Sequence, residues 1–436
     1  MSPCSKVSPT RPSSRRLSRV TRTSSAAGSQ TSFRASVPTA VVWDPALLSY
    51  RFNATHPMDP VRLDLTERLC REFGIFEDPQ VSLLAPGIAS DEVLGSIHDT
   101  AYIEAVRAGA SRGEPSVEHG LGTEDTPVFP ELHEGAARIA EGTLRCAEAL
   151  LEGSALHAVN FAGGMHHAFR AKAGGFCVYN DAALAIHRLL EPGAGRSGAR
   201  RVLYLDVDAH HGDGTQSIFY DDPRVMTVSL HQSGTTLFPG TGFPNETGGG
   251  GPAAGEGTAV NIALPPGTGD AGWLRAFHAV VPQLVRAFEP EVIVSQHGCD
   301  SHAADPLSDL QLSVDAHRQM ALDVSHLAEE HAENRWIATG GGGYAVHDVV
   351  PRSWTHLTAV AAGSPLRLHT EVPQAWREYV RFACGLEAPP QTMGDEAALW
   401  WRSWELGYDP SDAVDRAVMQ TRKEIFPLYG LDPWYD

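Results

Sequence analysis

From residue 39 onward, short apolar runs rich in β-branched residues alternate with longer stretches whose apolar positions recur at helical spacing. The runs "TAVVW" (39–43), "ALHAVNF" (155–161), "RVLYL" (201–205), "VMTVSL" (225–230), "EVIVSQ" (291–296) and "RWIAT" (335–339) read as strands buried on both faces. The stretches 132–153, 271–290 and 314–333 read as amphipathic helices between them. Buried strands alternating with helices predict an α/β domain with a mostly parallel sheet flanked by helices. No internal repeat or low-complexity linker interrupts this pattern, so residues 39–436 are expected to form one domain. The glycine-rich stretch 246–257 is expected to be a long surface loop.

The first 38 residues break the pattern. They are rich in Ser, Thr and Arg, carry seven basic residues and no acidic one, and hold too few apolar residues to fold. Residues 1–38 are therefore expected to be a disordered extension, with a transit peptide as the competing reading of an Arg/Ser-rich, acid-free start. A net charge of −19 over the chain argues against a nucleic-acid-coating protein, which would be basic. No apolar stretch approaches the roughly 18 residues that span a membrane. The six cysteines, Cys4, Cys70, Cys146, Cys177, Cys299 and Cys384, include no CxxC pair. That argues against a disulfide framework and a structural zinc knuckle, and fits a reducing, cytoplasmic setting.

Reactive residues gather just after the strand runs. "DVDAHHGDG" (206–214), "GGMHHAF" (163–169), "HGCDSHAADP" (297–306) and "GGGGY" (340–344) each follow one. In a parallel sheet that places them together beyond the carboxyl ends of the strands. Asp208 and His210 straddle one residue and point the same way in an extended segment, while Asp300 arrives from another strand. Two carboxylates and one imidazole suit a mononuclear Zn²⁺ or Fe²⁺ site with open positions. The pair His166-His167, with Asp206 and Asp213 free to orient them, suits proton transfer. Tyr344 brings a neutral phenol donor for an oxyanion, and Phe176 and Phe238 are placed to line a narrow apolar entrance. Together these parts describe metal-assisted hydrolysis, most naturally of an amide.

Over residues ~40 to ~390 the chain resembles the histone deacetylase superfamily, whose fold is arginase-like. "HPMDPVR", "GGMHHAF", "GGFCVYNDAALA", "YLDVDAHHGDGTQ", "TVSLH", "FPGTG", "QHGCDSHAADPL" and "GGGGY" occur in the family's order. The variants look most like the class I-type branch and, within it, the bacterial acetoin-utilisation deacetylases. The resemblance implies metal ligands at Asp208, His210 and Asp300, and histidine–aspartate pairs His166–Asp206 and His167–Asp213. It implies His167 as the main general base and acid, with His166 assisting electrostatically, and Tyr344 as the transition-state tyrosine. An acyl-lysine tunnel would use Gly175, Phe176, Phe238 and Leu307, with Arg62 on an internal acetate channel. A structural K⁺ would use Asp206, Asp208, His210, Ser229 and Leu230. The rim acid falls in "GLGTEDTP" with shifted spacing, so either Glu124 or Asp125 could serve. The expected partner is an acetylated protein or peptide, with acetylated metabolic enzymes such as acyl-CoA synthetases suggested by the subgroup.

Four other readings compete. A dinuclear ureohydrolase needs a further carboxylate where this chain has Gly212, and commonly Asp-x-Asp where it has Asp300-Ser301-His302. An acetylpolyamine amidohydrolase shares the catalytic set but takes a small substrate. A non-catalytic acyl-lysine binder would usually have lost a ligand, a histidine or the tyrosine, and all are present. A dinucleotide enzyme is weaker still, because no GxGxxG opens a helix after a strand.

Overall fold

The buried apolar runs become the strands of one sheet in a computed structural model that describes residues 37–193, 198–251 and 254–436. The strands are β1 (Thr39–Val42), β2 (Val81–Leu84), β3 (His157–Asn160), β4 (Val202–Asp206), β5 (Val225–Gln232), β6 (Ala259–Leu264), β7 (Val292–Gln296) and β8 (Trp336–Thr339). All neighbouring pairs are parallel, in the order β2-β1-β3-β8-β7-β4-β5-β6. Every residue of β1, β3, β4, β5, β7 and β8 is buried, which is why those strands read as continuous apolar runs.

Two strands escaped the sequence pattern. β2 is a four-residue edge strand with no buried residue, so it carries no apolar signature. β6 is interrupted by Asn261, which is fully buried and donates from Nδ2 to Gln216 Oε1 at 2.8 Å. An internal hydrogen bond makes that polar side chain tolerable inside the sheet.

The helices are α1 (Val61–Glu72), α2 (Asp91–Leu94), α3 (Thr100–Arg112), α4 (Leu132–Glu152), α5 (Asp181–Leu190), α6 (Asp213–Phe219), α7 (Asp270–Phe288), α8 (Val314–His331), α9 (Val349–Ala361), α10 (Gln374–Ala383) and α11 (Ala413–Ile425). α4 stops at Gly153, which takes the left-handed conformation (φ 73°) that ends helices. Asn180 and Ser313 cap α5 and α8 by accepting from Ala183 N and Ala316 N. α7 continues through Pro282, which has no N–H to give His278 O; Gln283 Nε2 donates to that carbonyl instead at 3.3 Å. The glycine-rich stretch is a loop as expected, but part of it is packed rather than splayed. Gly249 is buried, its N donates to Tyr220 O at 2.7 Å, and a Cβ there would collide with Ala254 O and Asp221.

The described residues all belong to one compact unit. The expected extension, residues 1–38, lies outside the described residues save for its last two. The five described cysteines are free thiols. Among the described residues no helix is long and apolar enough to cross a membrane.

Candidate active site

β3, β8, β7 and β4 are consecutive in the sheet and parallel, so their carboxyl ends lie side by side. The four reactive segments leave from these ends. After β4 the chain descends a staircase of short side-chain-to-backbone bonds: Asp206 Oδ1 accepts from Asp208 N at 3.2 Å, and Asp208 Oδ1 accepts from His210 N at 2.9 Å. Aspartate favours such local turns. They project alternate side chains to one side, as the Asp-x-His spacing predicts.

Asp208, His210 and Asp300 each offer one ligand atom, all within 4.8 Å of one another, and all three residues are buried. His210 Nδ1 lies 3.1 Å from Asp208 Oδ1 and 2.9 Å from Asp300 Oδ2. The remaining lone pairs are fixed from outside. Asp208 Oδ2 accepts from Gln296 Nε2 at 2.7 Å and Gly342 N at 2.8 Å, and Asp300 Oδ1 accepts from Ala209 N at 2.9 Å. Gly298 and Gly342 press against these carboxylates so closely that a Cβ at either would strike Asp208 or Asp300. Burial opposes a charge on His210, yet Asp300 and Asp208 push it up to about 10. Two desolvated carboxylates facing one imidazole thus call for a cation between them, and this donor set fits a divalent metal.

Beside the cluster stand two histidine–aspartate pairs. His166 Nδ1 lies 2.8 Å from Asp206 Oδ2, and His167 Nδ1 lies 2.7 Å from Asp213 Oδ1. The rings sit 4.0 Å apart, and both are buried. With each Nδ1–H donating to its carboxylate, Nε2 of each ring is left for other chemistry. The His166 Nε2 is 4.0 Å from Asp208 Oδ1. Their protonation is driven apart. Burial would lower His166, but Asp206 and Asp208 push it up to about 9. Burial and the neighbouring His166 lower His167, with Asp213 opposing. The loop carrying the pair is pinned by buried Asp181, which accepts from Gly164 N, Met165 N (2.7 Å) and Thr143 Oγ1 (2.5 Å).

Tyr344 is held by its backbone: Tyr344 N donates to Asp305 Oδ2 at 2.7 Å. Burial, then Asp300 and Asp208, keep its phenol well above the usual range, so it stays a neutral donor. Leu307 N donates to the same aspartate, at Oδ1 (3.0 Å), which brings Leu307 and Tyr344 to one anchor. The Phe176 ring meets Tyr344 edge-on at 5.7 Å. The Phe238 ring meets His167 at 5.0 Å and His210 at 6.3 Å, and is 49% exposed. Gly175 lies flat against His167, where a Cβ would collide with the ring. A narrow cavity among these groups is lined by Met58, His166, His167, Gly175, His210 and Tyr344.

Arg62 is buried and donates to the carbonyls of Gly341 (2.9 Å) and Gly343 (3.0 Å), its guanidinium 4.9 Å from the Trp354 ring. Asp206 and Ser229 are register partners across β4 and β5, so two of the residues expected to hold K⁺ are adjacent, with Leu230 buried next in β5. Of the two candidate rim acids, Asp125 turns inward, its Oδ2 accepting from Gly175 N at 2.8 Å, while Glu124 is exposed. Gly212 packs against the Asp206 carboxylate and the His166 ring, which leaves no room for another ligand there. His302 is spent on Asp395, with Nε2 2.9 Å from Oδ2. Both observations disfavour a dinuclear centre.

Sequence reasoning missed the residues that hold others in place: Gln296, Asp181, Asp305, and Tyr204, whose OH donates to Asp206 Oδ2 at 2.9 Å. Gln296 did carry a signal, being an amide at the end of a fully buried strand.

A family model described as histone deacetylase domain matches residues 56–361. The acetoin utilization protein AcuC of Bacillus subtilis (strain 168) is 38% identical over 389 residues, covering 88% of this chain and 97% of its own length. The AcuC proteins of Staphylococcus aureus (strain MRSA252) and Staphylococcus xylosus are 36% and 38% identical over 78% and 74% of this chain, and 87% and 83% of their own.

Proposed function

The chain belongs to the histone deacetylase family, in its acetoin-utilisation class, and from that premise we propose that it hydrolyses the acetyl amide of N6-acetyl-lysine in proteins. Family membership supports acetyl-group hydrolysis on an acetylated substrate. The observation that carries the finer reading is the pairing of two histidine–aspartate dyads, their imidazoles buried, with a buried Asp-His-Asp trio beside a tyrosine.

Asp208, His210 and Asp300 would hold the divalent metal that the family generally uses, here zinc or ferrous iron. Bound there, the metal supplies Lewis-acid polarisation of the amide carbonyl and a more acidic water. His167 is the general base: its low basicity keeps Nε2 free to take a proton from water, and Asp213 stabilises the resulting imidazolium. The same Nε2 returns that proton to the departing lysine nitrogen. His166, held charged by Asp206, stabilises negative charge nearby. The Tyr344 phenol donates to the oxyanion. Phe176, Phe238, Gly175 and Leu307 enclose the lysine methylenes, and Asp125 or Glu124 meets the peptide at the rim. Arg62 lines the exit for acetate. A K⁺ held by Asp206, Asp208, His210, Ser229 and Leu230 would stiffen the base of the site.

Acetylated metabolic enzymes such as acyl-CoA synthetases are the proposed substrates. The test compares kcat/KM on an acetyl-lysine peptide with that on N-acetylspermidine, using metal-loaded protein. The peptide is expected to be the better substrate. A preference for the polyamine would make this a small-molecule amidohydrolase. Binding of the peptide without turnover would make it an acyl-lysine binder.

A further inference from the structure

Phe176 has φ +66°, a left-handed conformation disfavoured for a residue with a Cβ, and it follows Gly175 at φ +49°. Such strain persists where the surroundings over-determine it. Two groups hold this turn from outside. Asp125 Oδ2 accepts from Gly175 N at 2.8 Å, and the Tyr50 hydroxyl donates to the Phe176 carbonyl at 2.7 Å. Tyr50 comes from far away in sequence and lies outside the residues 56–361 that the family model matches. It is buried, and Phe52 and Phe129 stand edge-on to its ring at 5.2 and 5.9 Å. Its hydroxyl is thus a fixed point. Downstream of that point, the Phe176 ring is flanked edge-on by His56 at 4.5 Å and by Tyr344 at 5.7 Å.

We propose that Tyr50 is a positioning residue for the acyl-lysine tunnel: its hydroxyl, bonded to the Phe176 carbonyl, holds the left-handed Gly175–Phe176 turn that keeps the Phe176 ring against Tyr344. The inference rests on the lysine-deacetylase reading above. A phenylalanine at position 50 would fill the same space and leave the ring contacts intact. It would leave the Phe176 carbonyl without its donor, and the turn free to relax toward a right-handed conformation. The wall that grips the substrate would then shift while the dyads and the Asp-His-Asp trio stay as they are.

The experiment compares metal-loaded wild type with Tyr50→Phe on acetyl-lysine and butyryl-lysine peptides, alongside thermal unfolding. For the variant, KM for the acetyl peptide is expected to rise about tenfold, the scale of one lost buried hydrogen bond. Its kcat should stay within a factor of about three, discrimination against the butyryl group should weaken, and the unfolding midpoint should be largely retained. Unchanged KM and unchanged acyl discrimination would overturn the proposal. So would a fall in kcat and unfolding midpoint with KM unmoved, the mark of a purely structural residue. A wild type that releases no acetate from the peptide would sink the deacetylase reading, and the tunnel role of Tyr50 with it.

Discussion

His166 and His167 are neighbours in sequence with the same side chain and the same kind of partner, yet their basicities diverge. Burial penalises both, but His166 also faces Asp208, while His167 faces the charge on His166. Separated protonation within a pair is how one site holds a base and a charged group at the same pH. The sign gives a test. His167 must be neutral to accept a proton, and its basicity lies below that of free histidine, so the acid limb of kcat/KM should fall below pH ~6.5. Asp213 raises His167, so Asp213→Asn should move that limb to lower pH while reducing kcat; a pH–rate profile of both proteins checks this. Tyr344→Phe should cost about 10²–10³ in rate, typical of losing an oxyanion donor, with metal content unchanged. Metal analysis showing loss of the ion would mean that Tyr344 has another role. At this scale the sequence was legible wherever chemistry sits in the side chain itself. Asp208, His210, Asp300, the two histidines and Tyr344 announce themselves by type and position. Asp181, Asp305 and Gln296 did not, because they act by bonding to backbone or to another side chain across 16 to 88 residues, which no local pattern records.

Among elements, legibility followed burial. Strands buried along their whole length were visible as apolar runs, whereas the half-exposed edge strand β2 and the Asn-interrupted β6 were not. The rim was ambiguous for a related reason: only the fold shows that Asp125 bonds Gly175 while Glu124 faces outward. Another junction invisible to spacing joins the start of α8 to α9. Asp395 accepts from Val314 N at 2.8 Å, lies 2.9 Å from His302 Nε2 and accepts from Arg352 at 2.7 Å. Burial alone would raise Asp395, but His302 and Arg352 hold it well below the usual carboxylate range. A depressed folded-state value means stability that is fully present above the unfolded value of about 4 and is lost as pH falls below it. Asp395→Asn should therefore lower the unfolding midpoint at pH 7, and its deficit relative to wild type should shrink as pH drops from about 5 toward 3. Equal deficits at all pH values would show that the carboxylate charge is not what matters there.

In the molecule as a whole, the parallel sheet does the assembling. Four adjacent strands deliver four segments to one end, and most of the groups that suit hydrolysis come from those segments alone. The family match begins at His56, ends at Ala361 and contains all four. The support from Tyr50 and from Asp395 comes from chain outside that span. The central claim is that the Asp-His-Asp trio and the two dyads work as one amide-hydrolysing centre. Acetate release from an acetyl-lysine peptide tests it most directly, measured on purified protein with a chelator, and again after Zn²⁺ or Fe²⁺ is restored. Release that the chelator abolishes and the metal restores is the predicted result; release that survives complete removal of metal, or none from fully metallated protein, would contradict it.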